Sequence, residues 1–250
     1  MNVVYAFCRK TDDIVDEDNL TKQAKEEKLL NWKNSLKAAF EVNSENGLLN
    51  EVADCAYQFN IPRKPFFDMI DGMEMDLTQN RYSTFEELKS YCYKVASTVG
   101  LMTIPIFGYK NSETQNYAIN LGIALQLTNI LRDVKIDSYI NRIYLPTEDL
   151  AKFDYSEQDL TKGIYNENFV KLMQFQADRA KEFYKIADSY LRDEDKSSMF
   201  TARAMQYIYY RLLDKIEQEK FNVFDKKIRV STINKLFIAL SVWIKYKLIY

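Results

Sequence analysis

The chain has 250 residues, with 34 Lys+Arg against 36 Asp+Glu, 47% hydrophobic residues and no histidine. That length and composition suit a soluble globular protein with a sizeable core. The missing histidine excludes Ser-His-Asp and Cys-His nucleophiles and histidine-ligated zinc, and a net charge of −2 offers nothing to nucleic acid. A metal here would need oxygen ligands, which suits magnesium, or manganese in its place.

Six Gly and four Pro argue for long helices against a turn-rich β fold. The 3.6-residue apolar period predicts helices over 2–17, 21–42 and 47–59. Ile61-Pro62-Arg63 breaks the chain before a helix over 65–79. Ser83 with Glu86 reads as a capping box, opening a helix through Val95 towards Gly108. Residues 112–138 are apolar on most sides and predict a central buried helix. Shorter segments begin at Thr147 and Ser156, and amphipathic helices follow over 166–192, 196–219 and 231–249.

With no repeat, linker or low-complexity tract, the expectation is one all-α domain over 1–250. Cys8, Cys55 and Cys92 read as free buried thiols of a reducing compartment. The N-terminus has no signal-peptide pattern, so the expected location is cytoplasmic. The apolar tail 236–250 carries Lys245 and Lys247 and is too short to span a bilayer. It is expected to pack on the core; the alternative is peripheral contact with the inner face of a membrane.

Two acidic constellations stand out. In Asp12-Asp13-Ile14-Val15-Asp16, a helix places Asp12 and Asp16 on one face with Asp13 alongside. Carboxylates so close repel, and a divalent cation relieves them; an exposed acidic helix end paired with Arg9 and Lys10 is the plainer reading. The second is a ladder of Asn129, Asp133 and Asp137, spaced i, i+4 and i+8 among Ile123, Leu125, Leu127, Ile130 and Leu131. Buried carboxylates are costly without partners, so this ladder needs cations, or a structural network with Arg132 or Arg142. Two such clusters on different helices predict two walls of a cavity, each holding Mg²⁺ against a diphosphate. Arg9, Arg142, Tyr144, Lys226, Lys227 and Arg229 are the nearby candidates to complete it.

The segments Tyr5 to Glu17, 71–101 and 121–146, the last reading LGIALQLTNILRDVKIDSYINRIYLP, closely resemble the squalene/phytoene synthase family. With the 201–230 stretch, the resemblance spans essentially the whole chain. It implies the all-α isoprenoid synthase bundle around a central cavity. It also implies a prenyltransferase that condenses two identical prenyl diphosphates head to head, through presqualene or prephytoene diphosphate. Carried over by position, Asp12 and Asp16 bind Mg²⁺ for one diphosphate with Asp13 close by, and Asn129, Asp133 and Asp137 bind Mg²⁺ at the second motif. Arg9, Arg142, Tyr144 and Lys227 match diphosphate positions. Tyr5 matches a cavity tyrosine, and Tyr209 a tyrosine near the diphosphates. Tyr91, Val95, Val99, Gly100, Leu125 and Gln126 match the cavity lining. Tyr5, Tyr91 and Tyr209 are candidates to stabilise an allylic cation through their ring faces. Gly100 reads either as a helix break that makes room for an isoprenoid tail or as a close helix contact.

The sequence departs from that family in three places. Its usual Ser-Lys-Ser-Phe-like N-terminal segment has no counterpart before Tyr5, Ile136 stands where an acid is common, and Lys227 replaces a frequent arginine, losing the bidentate fork. The leading expectation is condensation of two farnesyl diphosphates to a C30 product, with NADPH needed only if the reaction continues to squalene. The alternative is two geranylgeranyl diphosphates to phytoene. From other classes come an inactive truncated homologue serving as a binding partner and a purely structural helical protein, which leaves the 129/133/137 ladder unexplained.

Overall fold

The computed structural model describes residues 1–17 and 19–248. The first helices are α1 (Asn2–Asp16), α2 (Lys22–Glu41), α3 (Gly47–Gln58) and α4 (Lys64–Thr78). Then α5 (Phe85–Cys92), a π turn (Tyr93–Ser97) and α6 (Thr98–Phe107) run on as one helix, followed by α7 (Thr114–Tyr139). Next come the short α8 (Thr147–Lys152) and α9 (Glu157–Thr161), the long α10 (Glu167–Tyr190), α11 (Asp193–Lys196), α12 (Phe200–Gln218) and α13 (Thr232–Leu248). The fold is all-α, as expected. Among the described residues the sole bridge of β type joins Arg81 and Ile143.

The helix beginning at residue 83 is capped one residue later than expected. Thr84 Oγ1 accepts from the Glu87 N–H at 3.3 Å, and Glu87 reaches back to the Ser83 N–H at 2.7 Å. Both Ser83/Glu86 and Thr84/Glu87 satisfy the capping spacing. On this helix Leu88, Tyr91 and Cys92 face inward.

Two apolar clusters hold the bundle. One gathers α1–α4 and Met102. Phe7 on α1 is its hub, stacked on Trp32 at 6.1 Å and edge-on to Phe66 at 5.4 Å. Trp32 Nε1 donates to Thr11 Oγ1 at 3.0 Å, and Thr11 Oγ1 donates to the Phe7 carbonyl at 2.8 Å, so a buried polar pair locks the rotation of α1. The other cluster surrounds α7, which packs against α10, the π turn, α6 and α12. As its composition predicts, α7 is the central buried helix.

The last helix packs on α12 as expected, but with one face only. Val242 and Tyr246 face inward, but Ile233, Leu236, Phe237, Leu240, Trp243 and Ile244 form an outward stripe, with Phe237 67% exposed. Position 249, the expected end of that helix, lies outside the described residues. Among the described residues no helix is long and apolar enough to cross a membrane. Cys8, Cys55 and Cys92 are free, Cys92 buried and the other two half-buried.

Phe7 is fully buried, so Phe7→Ala should cost about 3–5 kcal/mol, read from the shift in urea midpoint. A loss below about 1 kcal/mol contradicts its place as hub.

Candidate active site

α1, α4, α5 and α7 enclose a polar cavity of about 470 Å³ lined by Asp12, Asp16, Asp76, Tyr91, Gln126, Asn129, Arg132, Asp133, Asp137, Arg142 and Tyr144. On α1 the inward face is Val4, Phe7, Thr11, Ile14 and Val15, which leaves Asp12 and Asp16 on the flank turned to the cavity. On α7 the ladder faces them. The turn after α7 is tight: Asn141 takes φ 60°, tolerable for asparagine, and the Arg142 N–H donates to the Asp137 carbonyl at 2.8 Å. Arg81 clamps this turn through the Asn141 carbonyl (2.7 Å) and Oδ1 (2.9 Å), and the Ile143 N–H donates to the Asn80 carbonyl at 3.0 Å. The clamp delivers Arg142 and Tyr144 into the cavity.

Five aspartates there face two arginines. Burial, then repulsion from Asp133, lifts the Asp137 carboxyl to about 7. Burial and Asp16 lift Asp12 to about 6. Arg132 forks onto Asp133, its Nε 2.8 Å from Oδ1, so one arm of the expected structural network is present. Even so, the site is short of positive charge. Asn129 Oδ1 is buried and has no hydrogen-bond partner, although its amide nitrogen donates to Gln126 at 3.4 Å. An orphan acceptor beside crowded carboxylates fits a hard cation. Among the described residues no three acids converge as a ready cage. A cation held here would have to keep waters and share phosphate oxygens instead of filling an all-protein cage, a coordination that Mg²⁺ accepts.

A second, largely apolar cavity of about 360 Å³ is lined by residues including Val95, Val99, Gly100, Leu125, Gln126, Asn129 and Tyr209. Gln126 and Asn129 line both cavities, so the two meet there. Gly100 is a close contact: a Cβ there would meet the Cβ and carbonyl oxygen of Ala118 at 3.2 Å. The interruption of the helix lies instead at the π turn.

The expected residues thus divide. Asp12, Asp16, Tyr91, Gln126, Asn129, Asp133, Asp137, Arg142 and Tyr144 meet in the polar cavity, and Val95, Val99, Gly100, Leu125 and Tyr209 in the apolar one. Tyr5 is 70% exposed, and Lys227 is exposed in the 222–231 loop; neither lines a cavity. Arg9 pairs with Asp13 at 2.8 Å in a surface groove on the outer side of α1, which borders the polar cavity at Asp16. Asp76 and Arg132 are additions. Asp76 ends a hydrogen-bonded chain in which Tyr91 donates to Tyr144 (3.2 Å) and Tyr144 to Asp76 (3.1 Å). Burial raises its pKa, opposed by Arg142. A signal for it existed: Met69, Met73 and Asp76 share one helix face, so an acid continues an apolar stripe.

With this geometry in view, comparison with known proteins places the chain. The sequence model of the squalene/phytoene synthase family matches residues 1–234, and the chain belongs to that family of prenyltransferases. It is 40% identical to the 15-cis-phytoene synthase of Synechococcus elongatus over 245 residues, covering 93% of this chain and 79% of that protein. It is 38% identical to the chloroplastic phytoene synthase 1 of Solanum lycopersicum, covering 96% of this chain and 59% of the relative. Among solved structures, a dehydrosqualene synthase in complex with ligand superposes with TM-score 0.84 at 30% identity, over 99% of this chain and 86% of that one.

The raised acids give a signed pH dependence. A carboxyl with a folded pKa above its unfolded value holds a proton in the native state that the unfolded chain has lost. The metal-free protein therefore loses stability as pH rises from about 4 towards the folded values of about 6 and 7, and then levels off. Asp137→Asn should flatten that decline and melt higher than metal-free wild type at pH 8. A wild-type melting temperature that rises from pH 5 to 8 through this site, or an Asn variant that melts lower at pH 8, contradicts this account of buried, crowded acids.

Proposed function

We propose that the protein condenses two geranylgeranyl diphosphates head to head, through prephytoene diphosphate, to phytoene. The observation that carries the reaction type is the polar, carboxylate-rich cavity joined to an apolar one at Gln126 and Asn129. The phytoene synthases among its relatives favour the C20 substrate over the C15 substrate that the sequence first suggested. The C30 reading, two farnesyl diphosphates to presqualene diphosphate, ranks second and draws on the likeness to the dehydrosqualene synthase structure. NADPH enters only if that route continues to squalene.

Asp12, Asp16, Asn129, Asp133 and Asp137 would hold the magnesium, with manganese as a substitute. When bound, the metal supplies positive charge for a departing diphosphate. Arg142 and Arg132 add cationic donors at the same cavity. Val95, Val99 and Leu125 exclude water from the allylic cation and its prenyl tail. Tyr209, beside Arg132 and on the apolar wall, offers a ring face at the junction. Tyr91, tied to Tyr144 and Asp76, keeps its proton because burial and the Asp76 charge hold its hydroxyl well above the usual range.

Peripheral membrane contact belongs to the same proposal. The outward stripe of α13 is apolar, and that helix carries lysines and no acid, the pattern of an interfacial helix. It would bring the enzyme to the phase that receives its apolar product.

The test is a product assay with Mg²⁺ on each diphosphate separately, with extracts analysed before and after phosphatase treatment. Phytoene from the C20 substrate is expected, and Asp133→Ala should lower kcat by at least about 100-fold. Product from the C15 substrate alone moves the protein to the C30 reading. No product from either contradicts the enzyme reading. For the membrane, Phe237→Glu/Trp243→Glu should abolish co-sedimentation with anionic vesicles and keep the melting temperature. Unchanged sedimentation overturns the contact.

A further inference from the structure

The helix from Phe85 to Phe107 serves both cavities with its two halves. Tyr91 lines the polar cavity, whereas Val95, Val99, Thr103 and Phe107 line the apolar one. In a regular α-helix each residue turns about 100°, so Tyr91 and Val99 would stand about 80° apart around the axis. The π turn between them absorbs one extra residue, which brings them to within about 20°. A single helix can then present a tyrosine to the diphosphate end and an apolar ladder to the prenyl end on one face.

Two glycines admit this widened turn. A Cβ at Gly72 on α4 would lie 2.9 Å from Val95 Cγ1 and 3.0 Å from Lys94 Cβ. A Cβ at Gly122 on α7 would lie 2.5 Å from Ser97 Cα. Ser97 Oγ ties the turn to α7 by donating to the Ile119 carbonyl at 2.7 Å. The turn is thus held from opposite sides, and neither Gly72 nor Ser97 lines a cavity.

We infer that Gly72 is a positioning residue for the reaction: it seats the π turn from outside the cavities and so sets the rotation that aligns Tyr91 with the Val95–Val99–Thr103–Phe107 ladder. The inference rests on the two-cavity reading above. A side chain at position 72 pushes Val95 and Lys94 inward, turning the prenyl wall relative to the diphosphate site. The cost falls on the chemical step, where an ångström of misplacement matters, more than on capture of the substrate.

The experiment uses the full chain with Mg²⁺ and the substrate that wild type turns over. It compares Gly72→Ala, Val95→Ala, the double variant, Ser97→Ala and Ala53→Gly, the last being a core change on α3 remote from the turn. Four quantities are read: kcat, KM, melting temperature, and the share of substrate released as prenyl alcohol through capture of the cation by water. Gly72→Ala should lower kcat at least about tenfold with KM changed less than about threefold, and raise the alcohol share. Adding Val95→Ala removes the nearest clashing atom and should recover kcat several-fold towards that of Val95→Ala alone. Ser97→Ala should raise the alcohol share to a smaller extent, while Ala53→Gly lowers only the melting temperature. Wild-type kcat and alcohol share in Gly72→Ala, or in Ser97→Ala where the former does not fold, overturn the inference while the activity itself stands. An inactive wild type overturns both.

Discussion

Five aspartates on three helices share one cavity with two arginines, and the unbalanced repulsion among them is the constraint that the rest of the fold must hold. Left free, α1 and α7 would relieve it by turning their acids to water. They do not, because each is fixed by a buried face: α1 by Phe7, Thr11 and their partners, α7 by apolar contact on nearly all sides. Burial first, and mutual repulsion second, raises the Asp12 and Asp137 carboxyl pKa values, and the buried Asn129 oxygen is left without a hydrogen-bond partner. On the proposed reading, a cation brought in with a diphosphate would relieve the crowding.

On the proposed function, the two cavities divide the chemistry by polarity. Charge separation needs fixed cationic and metal-binding groups where the diphosphate leaves. The cation left behind needs the reverse, a dry wall with aromatic faces. The junction at Gln126 and Asn129 is where these demands meet, and α7 supplies both from one side. The tyrosine–aspartate chain through Tyr91, Tyr144 and Asp76 sits on the polar side of that boundary.

Much of this was legible in the sequence. The 3.6 period gave the helices, and the 129/133/137 ladder was conspicuous because polar residues at i, i+4 and i+8 interrupt an apolar helix. Family resemblance reached further but less evenly. Arg9 and Asp13 share the i, i+4 spacing of Asp12 and Asp16 yet lie on the neighbouring face, so they pair with each other outside. Tyr5 and Lys227 are exposed, and no periodicity reveals that. Asp76 was readable as an acid continuing the Met69–Met73 stripe, but it stands alone where the ladder has three members. The π turn leaves no trace in a 3.6-residue pattern, and glycines 72 and 122 explain it only once their neighbours are known. Nor does the amphipathic pattern of α13 say which face turns outward.

The central claim is that these carboxylates bind a metal–diphosphate unit and not either part alone. Calorimetric titration of inorganic diphosphate into the full chain, with and without Mg²⁺, tests it directly. The account predicts that Mg²⁺ tightens diphosphate binding by at least about tenfold, and that Asp133→Ala/Asp137→Ala loses this enhancement. Equal affinity with and without the metal, or an enhancement that survives loss of both aspartates, would contradict it.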